Sequence, residues 1–160
     1  MRSFIAVSLI LPALLAGQAA LSKHGPESAV KAVYSADEPA IEHNGGGVMA
    51  DPALRARFFT RSLLRAFDFN LRGDSQSSTL AIVSEPFTDN APHFVDLGIK
   101  PVFESGNTAK VVAEFARGDG ARERLTYALI YEHGDWRIDD ITYALLDGES
   151  HTLRGDLQAN

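Results

Sequence analysis

The sequence predicts an α+β fold, with N-terminal helices packed on a curved antiparallel β-sheet. Three observations predict it. Helical spacing dominates the chain as far as Gly73. Alternation of apolar and polar residues dominates from Ile99 to Leu146. The turns between the alternating runs are short, which excludes the crossover connections of a parallel sheet.

The first stretch stands apart from the fold. Met1 and Arg2 give a positive start, Phe4 to Ala16 form an apolar run, and "GQAA" ends in small residues. This is the pattern of a secretory signal, with cleavage expected after Ala19 or Ala20. The apolar run is about 13 residues long and contains Pro12. A bilayer span needs about 20. Residues 1–20 therefore read as a signal peptide, and 21–150 as one domain. There is no cysteine, so the exported chain must be held by its core and not by disulfides. The 160 residues, 45% hydrophobic and 22% charged, are enough for one such core. A net charge of −6 argues against nucleic acid or an anionic membrane as partner.

The helices come first. "PESAVKAVYSA" (Pro26 to Ala36) has proline at its start, an early Glu27, and Ala29, Val30, Val33 and Tyr34 at helical spacing. "DEP" (Asp37 to Pro39) is expected to end it, because the residue before a proline is pushed out of the helical region. "EHNGGGVMA" (Glu42 to Ala50) lacks the lysine and hydroxyl residue of a phosphate loop and reads as a flexible connection. Asp51 to Gly73 reads as one long helix, with Asp51 as cap, Pro52 in the first turn and Gly73 as stop. Ala56, Phe59, Leu63, Ala66 and Phe67 share its core face. Arg57, Arg61 and Arg65, four apart, form a ridge on the opposite side.

The strands follow. Gly73 to Ser78 is a polar turn, Thr79 to Val83 a short strand or inserted turn, and Ser84 to Val102 a loop that becomes extended. Ile99 to Ser105 alternates towards Gly106-Asn107. Ala109 to Arg117 is a strand, Gly118 to Gly120 a hairpin turn, and Arg122 to Glu132 a longer strand. Leu125, Tyr127, Leu129 and Tyr131 take one face of it; Thr126, Ala128 and Ile130 take the other. His133 to Asp135 turns the chain into Trp136 to Leu146. Residues beyond Asp147, including 151–160, read as a loose polar tail.

Trp136 and Ile138 point to one face of that last strand. Asp139-Asp140 breaks the alternation, so Ile141 falls on the wrong face unless one extra residue is accommodated as a bulge. Trp136 then closes the core where sheet meets helices. Adjacent strand carboxylates point to opposite faces, so Asp139 and Asp140 read as architecture and not as an acid–base pair.

"SGNTAKVVAEF" and "ERLTYALIYEHGDWRIDDI" resemble the closing strands of NTF2-like (cystatin-like) domains, which carry a turn followed by a W-R/K-I-x-D-I pattern. Within them the chain is similar to the DUF3828 group of small exported bacterial proteins. That group has an acidic-Pro-Phe segment and then an Asn/Gln-Asp segment; here these are Glu85-Pro86-Phe87, then Asp89-Asn90 and Asp96. Glutamate stands where the group tends to have aspartate. The likeness spans about Ala53 to Ala144. It implies a cone between helices and concave sheet that serves as a pocket, and it implies no particular activity.

The five histidines form no close ligand pair, so no metal site and no cofactor is expected. Glu85, Asp89, Asn90 and His93 are candidates to converge on a bound group, or to satisfy the backbone of an irregular segment. Tyr127 resembles a proton-transfer element of the isomerases of this fold, although a tyrosine on an alternating strand is more often core. No G-x-S-x-G elbow is present. The leading expectation is a periplasmic or secreted, non-catalytic module that binds a small molecule or peptide in the cone. A protein–protein module of inhibitor or immunity type, using Arg57, Arg61 and Arg65, is the second. An isomerase- or dehydratase-like enzyme is the third. A homodimer through the open sheet face is also expected, and no stable membrane anchor once the signal is cleaved.

Overall fold

A computed structural model describes residues 24–43, 47–72, 86–88, 93–144 and 148–158. Residues 1–20, expected to be a signal, Asn44 to Gly46, Gly73, the Thr79 to Val83 segment, Glu85, Asp89 and Asn90 lie outside them. Among the described residues, four helices precede a five-stranded antiparallel sheet, and a fifth helix follows it. The helices are α1 (Pro26–His43), α2 (Gly47–Ala50), α3 (Pro52–Phe58), α4 (Arg61–Arg72) and α5 (Leu153–Gln158). The strands are β1 (Phe94–Ser105), β2 (Thr108–Arg117), β3 (Arg122–Glu132), β4 (Asp135–Ala144) and β5 (Ser150–Thr152), neighbours in that order. The sheet is curved and unclosed, and the class is α+β.

Tight turns set the register. Ser105 pairs with Thr108 around Gly106, whose φ is +60°. Glu132 pairs with Asp135 around His133 and Gly134, at φ +54° and +89°. Positive φ at both central residues is the mirror-image turn that matches the twist of a hairpin. On β3, Leu125, Tyr127 and Leu129 are buried, opposite Ala113, Val111 and Ala109 of β2.

The anticipated bulge lies in β4. Ile138 pairs with Leu129 and Asp140 with Ala128, so Asp139 is the extra residue. Trp136, Ile138, Ile141 and Tyr143 are all buried as a result. Trp136 stands in the core cluster and packs on Tyr131, with ring centroids 5.4 Å apart.

Three expectations are corrected. The long helix from Asp51 is two helices. Asp51 caps α3 as expected, its Oδ1 accepting from Ala53 N at 2.7 Å, but Phe59 is extended and bridges to Ile138. Thr60 N donates to the Ile138 carbonyl at 2.9 Å, and Thr60 Oγ1 accepts from Leu63 N at 3.1 Å, capping α4. The bond from Thr60 N to the sheet replaces a helical one there, and Phe58 and Phe59 both reach the core. Ala56, expected on the core face of a single helix, is exposed. Second, α1 does not stop at Asp37 but runs through Pro39 to His43. The carbonyl that Pro39 leaves without an intrahelical donor belongs to Ser35, which is exposed. Meanwhile Val30, Val33, Tyr34 and Asp37 of the same helix are buried. Third, the C-terminal tail carries β5 and α5, because Leu153 and Leu157 are buried one turn apart against the core.

Lateral strand β1 is the least covered. It has irregular register between Val95 and Gly98 and between Pro101 and Phe103, and Asp96 sits at φ +57°. Val95, Val102 and Phe103 are 60%, 51% and 51% exposed.

Candidate functional site

α1 packs across β1, β2 and β4. Between α1 and β1 a cleft of about 360 Å³ remains, lined by Lys31, Tyr34, Ser35, Phe94, Leu97 and Ile99. Lys31, Tyr34 and Ser35 are three and four apart, so they share one face of the helix. The first irregularity of β1, around Asp96, separates Val95 from Gly98 in the pairing and sets Leu97 and Ile99 on the helix side only half-buried. The walls are mostly carbon, and the polar groups sit at the helical rim. That combination is typical of small-molecule sites, which span about 300–1,000 Å³.

Behind the cleft lies a directed chain of hydroxyls. Tyr127 Oη donates to Tyr34 Oη at 2.9 Å, and Tyr34 Oη donates to the Phe87 carbonyl at 2.8 Å. Tyr143 Oη donates to the Pro86 carbonyl at 2.9 Å. These bonds tie Pro86 to β4 and Phe87 to α1. Burial pushes the Tyr34 and Tyr127 phenols well above the ordinary tyrosine range. Burial thus favours their protonated forms, which suit hydrogen-bond donors better than proton-accepting bases. Asp37, one turn along α1, is 3% exposed. Burial raises its pKa, partly offset by the bond that Oδ1 accepts from Val48 N at 2.7 Å. It fixes α2 to α1 and is absent from the cleft lining.

The anticipated residues are dispersed. His93 is exposed just before β1. Tyr127 is fully buried and touches the cleft only through Tyr34. Arg57, Arg61 and Arg65 are all exposed, but the break at Phe59-Thr60 puts Arg57 on α3 and the other two on α4, so they form no single helical ridge. Arg57 lies over the Phe58 ring, 5.1 Å from its centroid. Asp139 and Asp140 both hold α5. Arg154 Nη2 meets Asp139 Oδ1 at 2.5 Å, Arg154 Nε donates to the Asp139 carbonyl at 2.7 Å, and Arg154 N donates to Asp140 Oδ1 at 3.0 Å. Thr60 Oγ1 also donates to Asp139 Oδ1, at 2.7 Å.

A second polar pair lies at the C-terminal end. His151 Nδ1 is 2.7 Å from Asp156 Oδ2, and the His151 ring stacks on Tyr143 at 4.8 Å. Among the described residues no three histidine, aspartate or glutamate side chains converge to hold a metal. The cleft residues Lys31, Ser35, Phe94 and Leu97 were not identified as candidates from sequence. The one local signal for them was helical spacing around Tyr34, which marks core and rim alike.

Neither the protein-family models nor the curated proteins contain a match to this chain.

Proposed function

We propose that this chain is an exported, non-catalytic binding module of the NTF2-like type, which takes a small molecule or peptide in the cleft between α1 and the sheet. One observation carries the reading. The space between helix and sheet is open and apolar-walled, with its polar groups gathered on one rim. The carboxylates that an acid–base mechanism would need are engaged elsewhere among the described residues: Asp139 and Asp140 with Arg154, and Asp37 with Val48. Tyr127 is locked in a buried hydrogen bond. The isomerase-like reading draws no support from this lining.

The test is native mass spectrometry of the protein purified from the exported fraction without denaturation, alongside Leu97→Trp, whose indole fills the cleft. An added mass that unfolding releases, and that the variant lacks, is the expected result. A bare chain in both proteins, or an added mass that Leu97→Trp retains, refutes binding in this cleft.

A further inference from the structure

The lining of the α1–β1 cleft is asymmetric in a way that narrows its ligand; the inference rests on the cleft being a binding site. The β1 wall, Phe94, Leu97 and Ile99, offers only carbon. On the helical wall, Tyr34 meets Phe94 edge to face at 5.6 Å. Its hydroxyl is already used, donating to the Phe87 carbonyl and accepting from Tyr127. Tyr34 therefore presents ring and not hydroxyl. Polar recognition falls to Lys31 and Ser35, four apart on α1 and both exposed at the rim. Among the described residues, Lys31 is the one charged group lining the cleft, and it has no ion-pair partner there.

This set selects by charge. A single ammonium with three donors suits one compact anionic group. A phosphate ester is better matched by a guanidinium fork or by the free N–H groups of a helix start. The cleft lining has no arginine, and Lys31 sits beyond the first turn of α1, where backbone N–H groups are used within the helix. A cationic ligand would face Lys31 with no described carboxylate in the lining. We infer that the cleft takes a small amphiphilic monoanion, its apolar tail against Phe94, Leu97 and Ile99 and its anionic head at Lys31 Nζ and Ser35 Oγ.

Calorimetric titration of the full chain with octanoate and with octanol tests this, in wild type, Lys31→Gln and Leu97→Trp. The expected result is a preference of about three- to tenfold for octanoate in wild type, the range of a partly exposed ion pair with a hydrogen bond. Lys31→Gln should abolish that preference, lowering octanoate affinity to about that of octanol. Leu97→Trp should weaken both ligands. Equal binding of the two ligands by wild type, or a preference that survives Lys31→Gln, overturns the monoanion; if Leu97→Trp still weakens them, the cleft stands as an apolar site. Binding that Leu97→Trp leaves untouched removes the cleft itself. Absence of binding of either ligand to wild type overturns the inference. Lys31 is exposed, so its substitution leaves the fold intact, which unchanged thermal melting verifies.

Discussion

The hydroxyl chain from Tyr127 through Tyr34 to Phe87 has a direction, and the direction makes its two ends unequal. Consider Tyr127→Phe. It removes the first donor. Tyr34 still donates to the Phe87 carbonyl, and no buried N–H or O–H is left without an acceptor. The cost is one ordinary hydrogen bond, about 0.5–1.5 kcal/mol. Tyr34→Phe removes the middle member. Tyr127, 0% exposed, then holds a donor with nothing to accept it, and the Phe87 carbonyl loses its donor. Each orphaned group costs about 1–3 kcal/mol, so about 2–6 kcal/mol is expected in all. Against a total stability of about 5–15 kcal/mol that is a large loss. The double variant restores part of it, because without the Tyr127 hydroxyl only the carbonyl remains unpaired. It should therefore be no less stable than Tyr34→Phe alone. Urea unfolding followed by Trp136 fluorescence, with the slope held constant across the set, reads all four proteins. Equal losses in the two single variants, or a double variant whose loss is the sum of both, would refute the directed chain.

Two other variants probe the polar framework. Asp37 has a folded pKa above its ordinary 3.8, so its contribution is fully present below that value and is lost as pH rises through the raised one. Asp37→Asn keeps an acceptor for Val48 N; its stability relative to wild type should rise with pH across that window, and a flat difference between pH 3 and pH 7 melts rejects this account. For the Arg154–Asp139 contact, side chains 22% and 25% exposed, a double-mutant cycle with alanine at both positions should give a coupling of about 1–2 kcal/mol, discounted for that exposure. A coupling below about 0.3 kcal/mol would mean that the Asp139–Arg154 side-chain contact does not help hold α5.

What the sequence makes legible is what depends on neighbours in the chain. The limits of β3, Arg122 to Glu132, follow from alternation and flanking turns, and the structure has the same limits. The bulge at Asp139 follows from a parity argument alone: two apolar pairs on one strand, out of phase by one residue. The break at Phe59-Thr60 depends instead on Ile138, which is distant in sequence and supplies both the bridge and the hydrogen-bond acceptor. Thr60, a good cap residue in an otherwise continuous helical pattern, was the only local hint. Pro39 misleads as well: the carbonyl it leaves without an intrahelical donor belongs to Ser35, which is exposed, and the helix runs on to His43. α5 is six residues long, too short for a period to show. The cleft is a gap between two elements, and no pattern within either one encodes a gap. Glu85, Asp89 and Asn90 drew attention because polar residues in an irregular segment stand out, whereas the cleft lining is mostly carbon and does not.

An open sheet has two lateral strands, and each is a template on which another chain can add. Here the two are blunted by different means. β5 offers only three residues, Ser150 to Thr152. β1 is long, and Val95, Val102 and Phe103 would make it adhesive. Yet its ladder is interrupted twice, and Pro101 removes a donor midway. An incoming strand meets a bent backbone with a missing hydrogen bond and finds no long run in register. The exposed apolar side chains of β1 thus lie on a strand whose irregular backbone offers an added strand little regular ladder to extend.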